Sequence, residues 1–199
     1  YEEYLSDIYV SACHLLEIIN DVLDMSKIEA GRVQLVESEV SIDELFRTIQ
    51  RIMLDRAQMA SVSLVCHADK NVPNIKADQR LLRQVLINLV SNSIKFSTPG
   101  KPVSVSARVM QDGHVRLAVM DMGCGIPADK IRHVLEPFGQ VNDPKHYKGQ
   151  GTGLGLPLAK AMTELHDGSL TLQSEEGKGT TILIDLPVER NLPRERNKG

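Results

Sequence analysis

Apolar residues recur at alternating spacings of three and four along the first thirty residues of the chain. They are Leu5, Ile8, Ala12, Leu15, Ile19 and Val22. This spacing is that of a heptad seam, and it predicts one amphipathic helix over residues 1–30 that ends at a C-cap glycine, Gly31. Leu16 and Leu23 widen the seam to the breadth found inside helical bundles. We therefore expect a partner helix, and with it a second subunit, to cover the seam; the alternative is that the helix packs only on the domain that follows.

From residue 32 onward, short apolar runs alternate with helical periodicities. The pattern predicts strands near residues 33–40, 62–66, 103–110, 114–120, 169–174 and 180–186. It predicts helices at 41–60 behind a capping box, at 78–96, briefly near 127, and from about 153. Helices on one face of a mainly antiparallel sheet define an α+β two-layer sandwich. The chain thus divides into a helix (1–31), a domain (32–187) and a polar tail or linker (188–199).

Composition and charge exclude several classes of function. The chain has 199 residues, a formal net charge of -3, a pI near 6.1 and no Trp, which argues against nucleic-acid binding. Its three cysteines are far apart and show no metal-ligand spacing. No apolar run approaches the length of a membrane span, and the chain begins without a signal peptide. We expect a cytoplasmic piece of a longer protein, in which any membrane anchor lies outside this chain.

A glycine-rich loop runs into a predicted helix at residues 149–156. Glycines at alternate positions suit neither helix nor strand, but they allow backbone amides to approach a bulky anion closely. The start of the following helix adds unpaired N–H donors and the positive end of the helix dipole. This pattern is typical of a phosphate site, although such turns also connect elements that bind nothing.

The predicted helix at 78–96 carries a narrow polar ridge beside its apolar face. Gln84, Asn88, Asn92 and Lys95 follow one another at spacings of four, four and three. Amide oxygens can ligate Mg²⁺, and a lysine can pair with phosphate. The alternative is an ordinary solvated helix face, but asparagine is a poor filler of such a face.

An aspartate, Asp121, ends the apolar strand at 114–120 and precedes two glycines. A carboxylate placed there can point into a pocket and accept a hydrogen bond from an exocyclic amine. The alternative is a turn aspartate that caps the next helix.

Together these segments resemble the ATP-binding domain of the histidine kinases. Residues 88–96 (NLVSNSIKF) resemble its N box, 121–125 (DMGCG) its G1 box, 136–140 (EPFGQ) its F box and 151–156 (GTGLGL) its G2 box. Residues 177–180 resemble its closing glycine-rich turn, and residues 15–31 the second helix of its dimerisation domain. Residues 1–8 lean toward the PleC-like branch of these sensor kinases.

The resemblance implies a Bergerat-type (GHKL) fold that binds ATP and Mg²⁺. Asp121 would receive the adenine amino group, and Asn92 would ligate Mg²⁺ with Asn88 assisting. Lys95 would contact phosphate, and Phe96 would pack against the base. The remaining nucleotide-binding residues are Gly123, Gly125, Ile126, Phe138, Gly151, Thr152, Gly153, Leu154, Gly155, Leu156 and Thr180, with residues 140–152 forming a mobile lid.

The resemblance also bears on the reaction. Hydrolysing relatives place a glutamate base one helical turn before the metal-binding asparagine, where this chain has Asn88, so bound ATP should be transferred rather than hydrolysed. No histidine here lies in the family's H box, because none combines an acid directly after it with a proline a few residues further on. The histidines without this context are His14, His67, His114, His133, His146 and His166.

The resemblance therefore implies the catalytic part of a sensor histidine kinase whose phosphoacceptor lies outside this chain. Its partners would be the receiver domain of a response regulator and a second copy that pairs through the N-terminal helix. Two alternatives stay open: a nucleotide-binding pseudokinase that regulates signalling partners, and a metabolic ATPase of the same fold.

Overall fold

The computed structural model describes residues 2–141 and 151–193. Its first element is a long helix, α1 (Glu2–Glu29). The helix ends where Gly31 adopts a φ of 62°, and the Arg32 N–H then donates to the Lys27 carbonyl at 2.9 Å. A glycine in this left-handed conformation is the usual helix stop, so the predicted helix and its C-cap are confirmed. The predicted seam is largely exposed, with Leu5 at 65% and Leu15 at 57%.

The remaining regular elements follow in chain order. They are β1 (Ser38–Val40), α2 (Ile42–Met59), β2 (Ser63–Ala68), β3 (Asn74–Ala77), α3 (Gln79–Phe96), β4 (Pro102–Val109), β5 (Val115–Met120), α4 (Gly155–Leu165), β6 (Ser169–Glu175), β7 (Gly179–Leu186) and β8 (Asn191–Leu192). Short 3₁₀ helices occupy Ala128–Lys130, His133–Leu135 and Val188–Arg190.

Local sequence signals account for the starts of two helices. The Ser41 hydroxyl accepts from the Glu44 N–H at the start of α2. The Asp78 carboxylate accepts from the N–H groups of Arg80 and Leu81, at 3.0 and 3.1 Å, at the start of α3. Each side chain satisfies donors that the first helical turn leaves unpaired.

The main sheet has five strands in the order β2-β4-β5-β7-β6. Strand β2 runs parallel to β4, and every other pair is antiparallel. Helix α2 packs on β2, α3 on β4 and β5, and α4 on β6. The layer of helices and the sheet bury one continuous apolar core, so the α+β two-layer prediction is confirmed.

The structure differs from the sequence pattern at both ends of the domain. A second, three-stranded sheet has the order β1-β3-β8, and neither β3 nor β8 was expected. Residues 188–192, expected to belong to a polar tail, form a 3₁₀ turn and a strand that pairs with β3. Arg190 within them is only 8% exposed, because it bonds the His166 and Lys76 carbonyls. Near residue 127 two 3₁₀ turns replace the expected short helix.

No described helix is both long enough and apolar enough to cross a membrane.

Candidate functional site

A cavity of about 1030 Å³ lies where the second half of α3, the end of β5 and the start of α4 meet. Residues far apart in the sequence form its wall. Those predicted from the sequence are Asn88, Asn92, Lys95, Phe96, Asp121, Gly125, Ile126, Gly151, Thr152, Gly153, Gly155, Leu156 and Thr180. The cavity therefore brings together the polar ridge of α3, the aspartate at the end of β5 and the glycine loop.

Asp121 is a buried carboxylate, 6% exposed, that lines this cavity. Its Oδ1 accepts from the N–H groups of Gly123 and Thr180, at 3.0 and 3.2 Å, and Ser93 donates a further side-chain hydrogen bond. Burial raises the pKa of Asp121, while these hydrogen bonds oppose the rise. The carboxylate is thus held in place in a partly apolar setting, where a donor such as an amine would complete its hydrogen bonding.

Close backbone packing around the aspartate requires glycine at several positions, of which Gly125 is one. Gly125 has a φ of 69°, and a Cβ there would collide with the Glu175 carbonyl. The Gly177 N–H donates to the Cys124 carbonyl at 2.7 Å, which joins this loop to the turn between β6 and β7. The G1 segment and the closing glycine-rich turn therefore form one wall.

The polar ridge of α3 faces the start of α4. The Gln84 amide donates to Asn88 Oδ1 at 3.0 Å, and Asn88 Nδ2 donates to the Gly155 carbonyl at 3.3 Å. The Asn92 amide lines the cavity without a side-chain hydrogen bond to any residue of 2–141 or 151–193. Asn92 is therefore the freer of the two asparagines to ligate a cation or a polar ligand.

Lys95 extends from α3 toward the glycine loop. A Cβ on Gly151 would lie 3.3 Å from Lys95 Nζ, so the bare backbone of the loop makes room for the ammonium. The same ammonium lies 4.9 Å from the centroid of the Phe96 ring. Desolvation at the cavity wall, followed by the charge of Arg56, lowers the pKa of Lys95.

Helix α1 also borders the cavity, through Glu17 and Asp21. The Thr152 hydroxyl donates to Asp21 Oδ2 at 3.3 Å and accepts from the Leu154 N–H at 3.0 Å. Burial raises the pKa of Asp21. The threonine of the glycine loop therefore links the long helix to the start of α4.

Three predicted residues do not lie on the cavity wall. Gly123 supports Asp121 from behind through its N–H, Leu154 is buried in the core, and Phe138 is 62% exposed. Phe138 still supports the glycine loop, because its N–H donates to the Gly153 carbonyl at 3.0 Å. Within the expected lid at 140–152, residues 142–150 lie outside the described part of the chain.

Several cavity residues were not expected. Ser93 bonds Asp121, Leu172 and Ile182 supply apolar wall from β6 and β7, and Arg56 lines the cavity from α2. The sequence gives no local signal that these residues line a site. The periodicity of each helix or strand predicts only which side of that element a residue occupies. Of the histidines whose side chains are described, none lines the cavity; the side chain of His14 and all of His146 lie outside the described residues.

Known proteins with a similar sequence or structure carry histidine kinase names. The chain is 39% identical over 194 residues to an uncharacterised sensor-like histidine kinase of Rhizobium meliloti, covering 98% of this chain and 37% of that protein. It is 36% identical over 200 residues to the cell-division control histidine kinase PdhS of Brucella ovis, which covers 96% of this chain and 19% of that protein.

A crystal structure of full-length ShkA in complex with AMPPNP matches with a TM-score of 0.82 and 29% identity, covering 94% of this chain and 38% of that one. The chain thus spans about a fifth to two fifths of the length of these three proteins. Residues 77–190, which hold α3, the cavity aspartate and the glycine loop, match the family described as histidine kinase-, DNA gyrase B-, and HSP90-like ATPase. The chain is a member of that ATPase family, and the relatives that it resembles over nearly all of its length are histidine kinases.

Proposed function

We propose that this chain binds ATP in the cavity and transfers the γ-phosphate to a histidine outside the chain, as the catalytic part of a sensor histidine kinase. The phosphate would pass on to an aspartate of a response-regulator receiver domain. Because the chain spans only part of its relatives, this activity belongs to a longer protein. The exposed seam of α1 supports pairing of two copies through residues 1–31, with residues 32–187 as the catalytic unit.

The observation that carries the proposal is that one cavity is lined both by groups suited to adenine and by groups suited to phosphate. The held Asp121 carboxylate is an acceptor for an exocyclic amine, and the apolar side chains of Ile126 and Ile182 suit a flat base. The Lys95 ammonium lines the same cavity and lies against the bare backbone of Gly151. An adenine nucleotide carries both kinds of group, with an amine on the base and negative charge on the phosphates.

The oxygen donors beside the glycine loop fit Mg²⁺. Asn92 offers an amide oxygen, and a hard cation that keeps several waters needs only one or two such protein ligands beside phosphate oxygens. Bound there, Mg²⁺ would neutralise phosphate charge and fix the orientation of the terminal phosphate. The backbone of Gly151, Gly153 and Gly155 lines the same region and has room for the phosphate chain.

The cavity also favours transfer over hydrolysis. Asn88 cannot act as a general base, because an amide does not accept a proton at neutral pH. Its side chain is moreover held by Gln84 and by the Gly155 carbonyl. Water near the terminal phosphate therefore has no base at this position, and bound ATP persists until an acceptor histidine arrives.

Titration calorimetry with ATP tests the binding site. We expect Asp121→Asn to reduce affinity beyond detection, because an amide in place of the carboxylate presents an N–H group to the adenine amine. Asn92→Ala should weaken binding in Mg²⁺ more than binding measured with a chelator. The matched control is Asp129→Asn, the same change at an exposed carboxylate away from the cavity. Unchanged affinity in Asp121→Asn would contradict the assignment of the base site.

The full-length protein distinguishes the kinase from the pseudokinase. Incubation with γ-labelled ATP should label it with an acid-labile, base-stable phosphate, as expected of phosphohistidine. A pseudokinase would bind ATP and remain unlabelled, whereas a metabolic ATPase would release inorganic phosphate at a rate that rises with ATP occupancy.

A further inference from the structure

The C-terminal end of α2 contributes a charged residue to the cavity. Arg56, Met59 and Ala60 line it beside Lys95 and Phe96 of the neighbouring helix α3. Helices α2 and α3 pack against each other, which places the ends of both at this edge of the site. None of the three α2 residues belongs to the sequence boxes by which the site was predicted.

Arg56 and Lys95 form a pair of like charges on this wall. Among the described residues, no carboxylate lies within ion-pair distance of either one. Their proximity is unfavourable in the free protein, and the charge of Arg56 contributes to the lowered pKa of Lys95. Two cations that line one cavity without a carboxylate partner are arranged to receive an anion that neither would hold as well alone.

We propose that Arg56 is a second phosphate-binding cation of this site, whose guanidinium contacts the phosphate chain of the bound nucleotide beside Lys95. The proposal rests on the proposed function, since it presumes that the cavity takes an adenine nucleotide. A guanidinium offers several N–H donors in a planar fork that matches two phosphate oxygens at once. The arginine would thus supply the oriented donors that a single ammonium lacks.

The location of Arg56 also separates its role from that of the base site. Asp121 lies at the end of β5, whereas Arg56 comes from the end of α2 beside the lysine that faces the glycine loop. Loss of the guanidinium should therefore reduce the affinity for phosphorylated nucleotides and leave the affinity for adenosine unchanged. A role in supporting the fold, by contrast, would reduce both affinities together.

The test compares ATP, ADP and adenosine by titration calorimetry at low and moderate salt. We expect Arg56→Gln to weaken ATP binding about two- to fivefold, an effect expected of one exposed charge-assisted contact. The effect on adenosine should be nil, and Arg56→Lys should restore part of the loss. The control is Arg47→Gln, an exposed arginine of α2 nine residues earlier, which a helical rotation of about 100° per residue places on the opposite face.

The outcomes separate the two proposals. Normal ATP affinity in Arg56→Gln, with binding lost in Asp121→Asn, would overturn the role of Arg56 and keep the proposed function. Equal weakening of ATP binding and adenosine binding in Arg56→Gln would also overturn it, because the effect would then not be specific to phosphate. Equal weakening of ATP binding in Arg47→Gln would overturn it as well, because the effect would then not be specific to the arginine at the cavity. Absence of ATP binding by the unaltered chain would overturn both proposals. Weaker ATP and ADP binding with unchanged adenosine binding supports the inference.

Discussion

Acidification should destabilise this domain through His166, which lies in the core with no exposed surface. Its Nε2 accepts from the Asp78 N–H at 3.0 Å, and its Nδ1 lies 2.7 Å from the Met162 carbonyl. An acceptor and a donor on one ring define the neutral tautomer, with the proton on Nδ1. Burial, the largest cause, lowers the pKa of His166, and the charge of Arg190 acts in the same direction. Protonation would place a second N–H against the Asp78 N–H.

The direction and size of the effect follow from proton linkage. Because His166 has a lower pKa in the folded protein than in the unfolded chain, the unfolded chain binds more protons once the pH falls below about 6.5, the ordinary pKa of histidine. The stabilising contribution of neutral His166 to the free energy of unfolding is therefore fully present above this pH. It is lost as the pH decreases toward the pKa of His166 in the folded protein. One such site contributes at most about 1.4 kcal/mol between pH 7.5 and pH 5.5.

Urea unfolding at these two pH values, for the unaltered protein and for His166→Gln, measures the effect. The variant should be less stable by about 1–3 kcal/mol at pH 7.5, because it disturbs two buried hydrogen bonds. It should also lose less stability on acidification than the unaltered protein. The nearby carboxylates of Asp78 and Glu37 titrate in both proteins, so their effects cancel in the difference. The exposed His67→Gln serves as control; equal pH dependence in all three proteins would refute the argument.

Two further predictions concern backbone packing and the C-terminal strand. Gly125→Ala should abolish ATP binding and lower the melting temperature, because the added methyl collides with the Glu175 carbonyl and the residue has a φ of 69°; normal ATP binding in calorimetry would contradict this packing. Arg190→Ala should cost about 3 kcal/mol of unfolding free energy in urea, since it removes one of the two cationic partners of Glu37 and two buried hydrogen bonds to carbonyls. Arg80→Ala, at an exposed arginine, should cost far less, and equal losses would refute a special role for Arg190.

Much of the fold was predictable because the signals are local. The helix at 78–96 has a capping aspartate at one end and a clear apolar face, and the structure places α3 at Gln79–Phe96. The hairpin of β4 and β5 has alternating strands around a turn with glycine. Strands β3 and β8 were missed because four and two residues are too few to show an alternation. They form only because the core and the Arg190 contacts hold β3 between β1 and β8.

Part of the candidate site was likewise predictable from local sequence signals, and part of it was not. The segments around Asn92, Asp121 and the glycine loop were identifiable because each carries its own short pattern, and the resemblance supplied their roles. Asn88 illustrates a limit, since the sequence suggested it as a metal ligand while the structure engages its amide with Gln84 and Gly155. Its role as a ligand stays a prediction that calorimetry with Mg²⁺ can test.

The sequence by itself determined the helices, most strands and the chemical types of the groups that line the cavity, because periodicity and glycine placement act within a few residues. Only the tertiary structure decided which distant groups meet. Arg56 lies beside Lys95, and Asp21 bonds Thr152, since the packing of α2 on α3 and of α1 near α4 brings them there. The periodicity of a helix or strand indicates which of its faces a residue occupies. The residue that it contacts across that face depends on how the face packs against the rest of the chain.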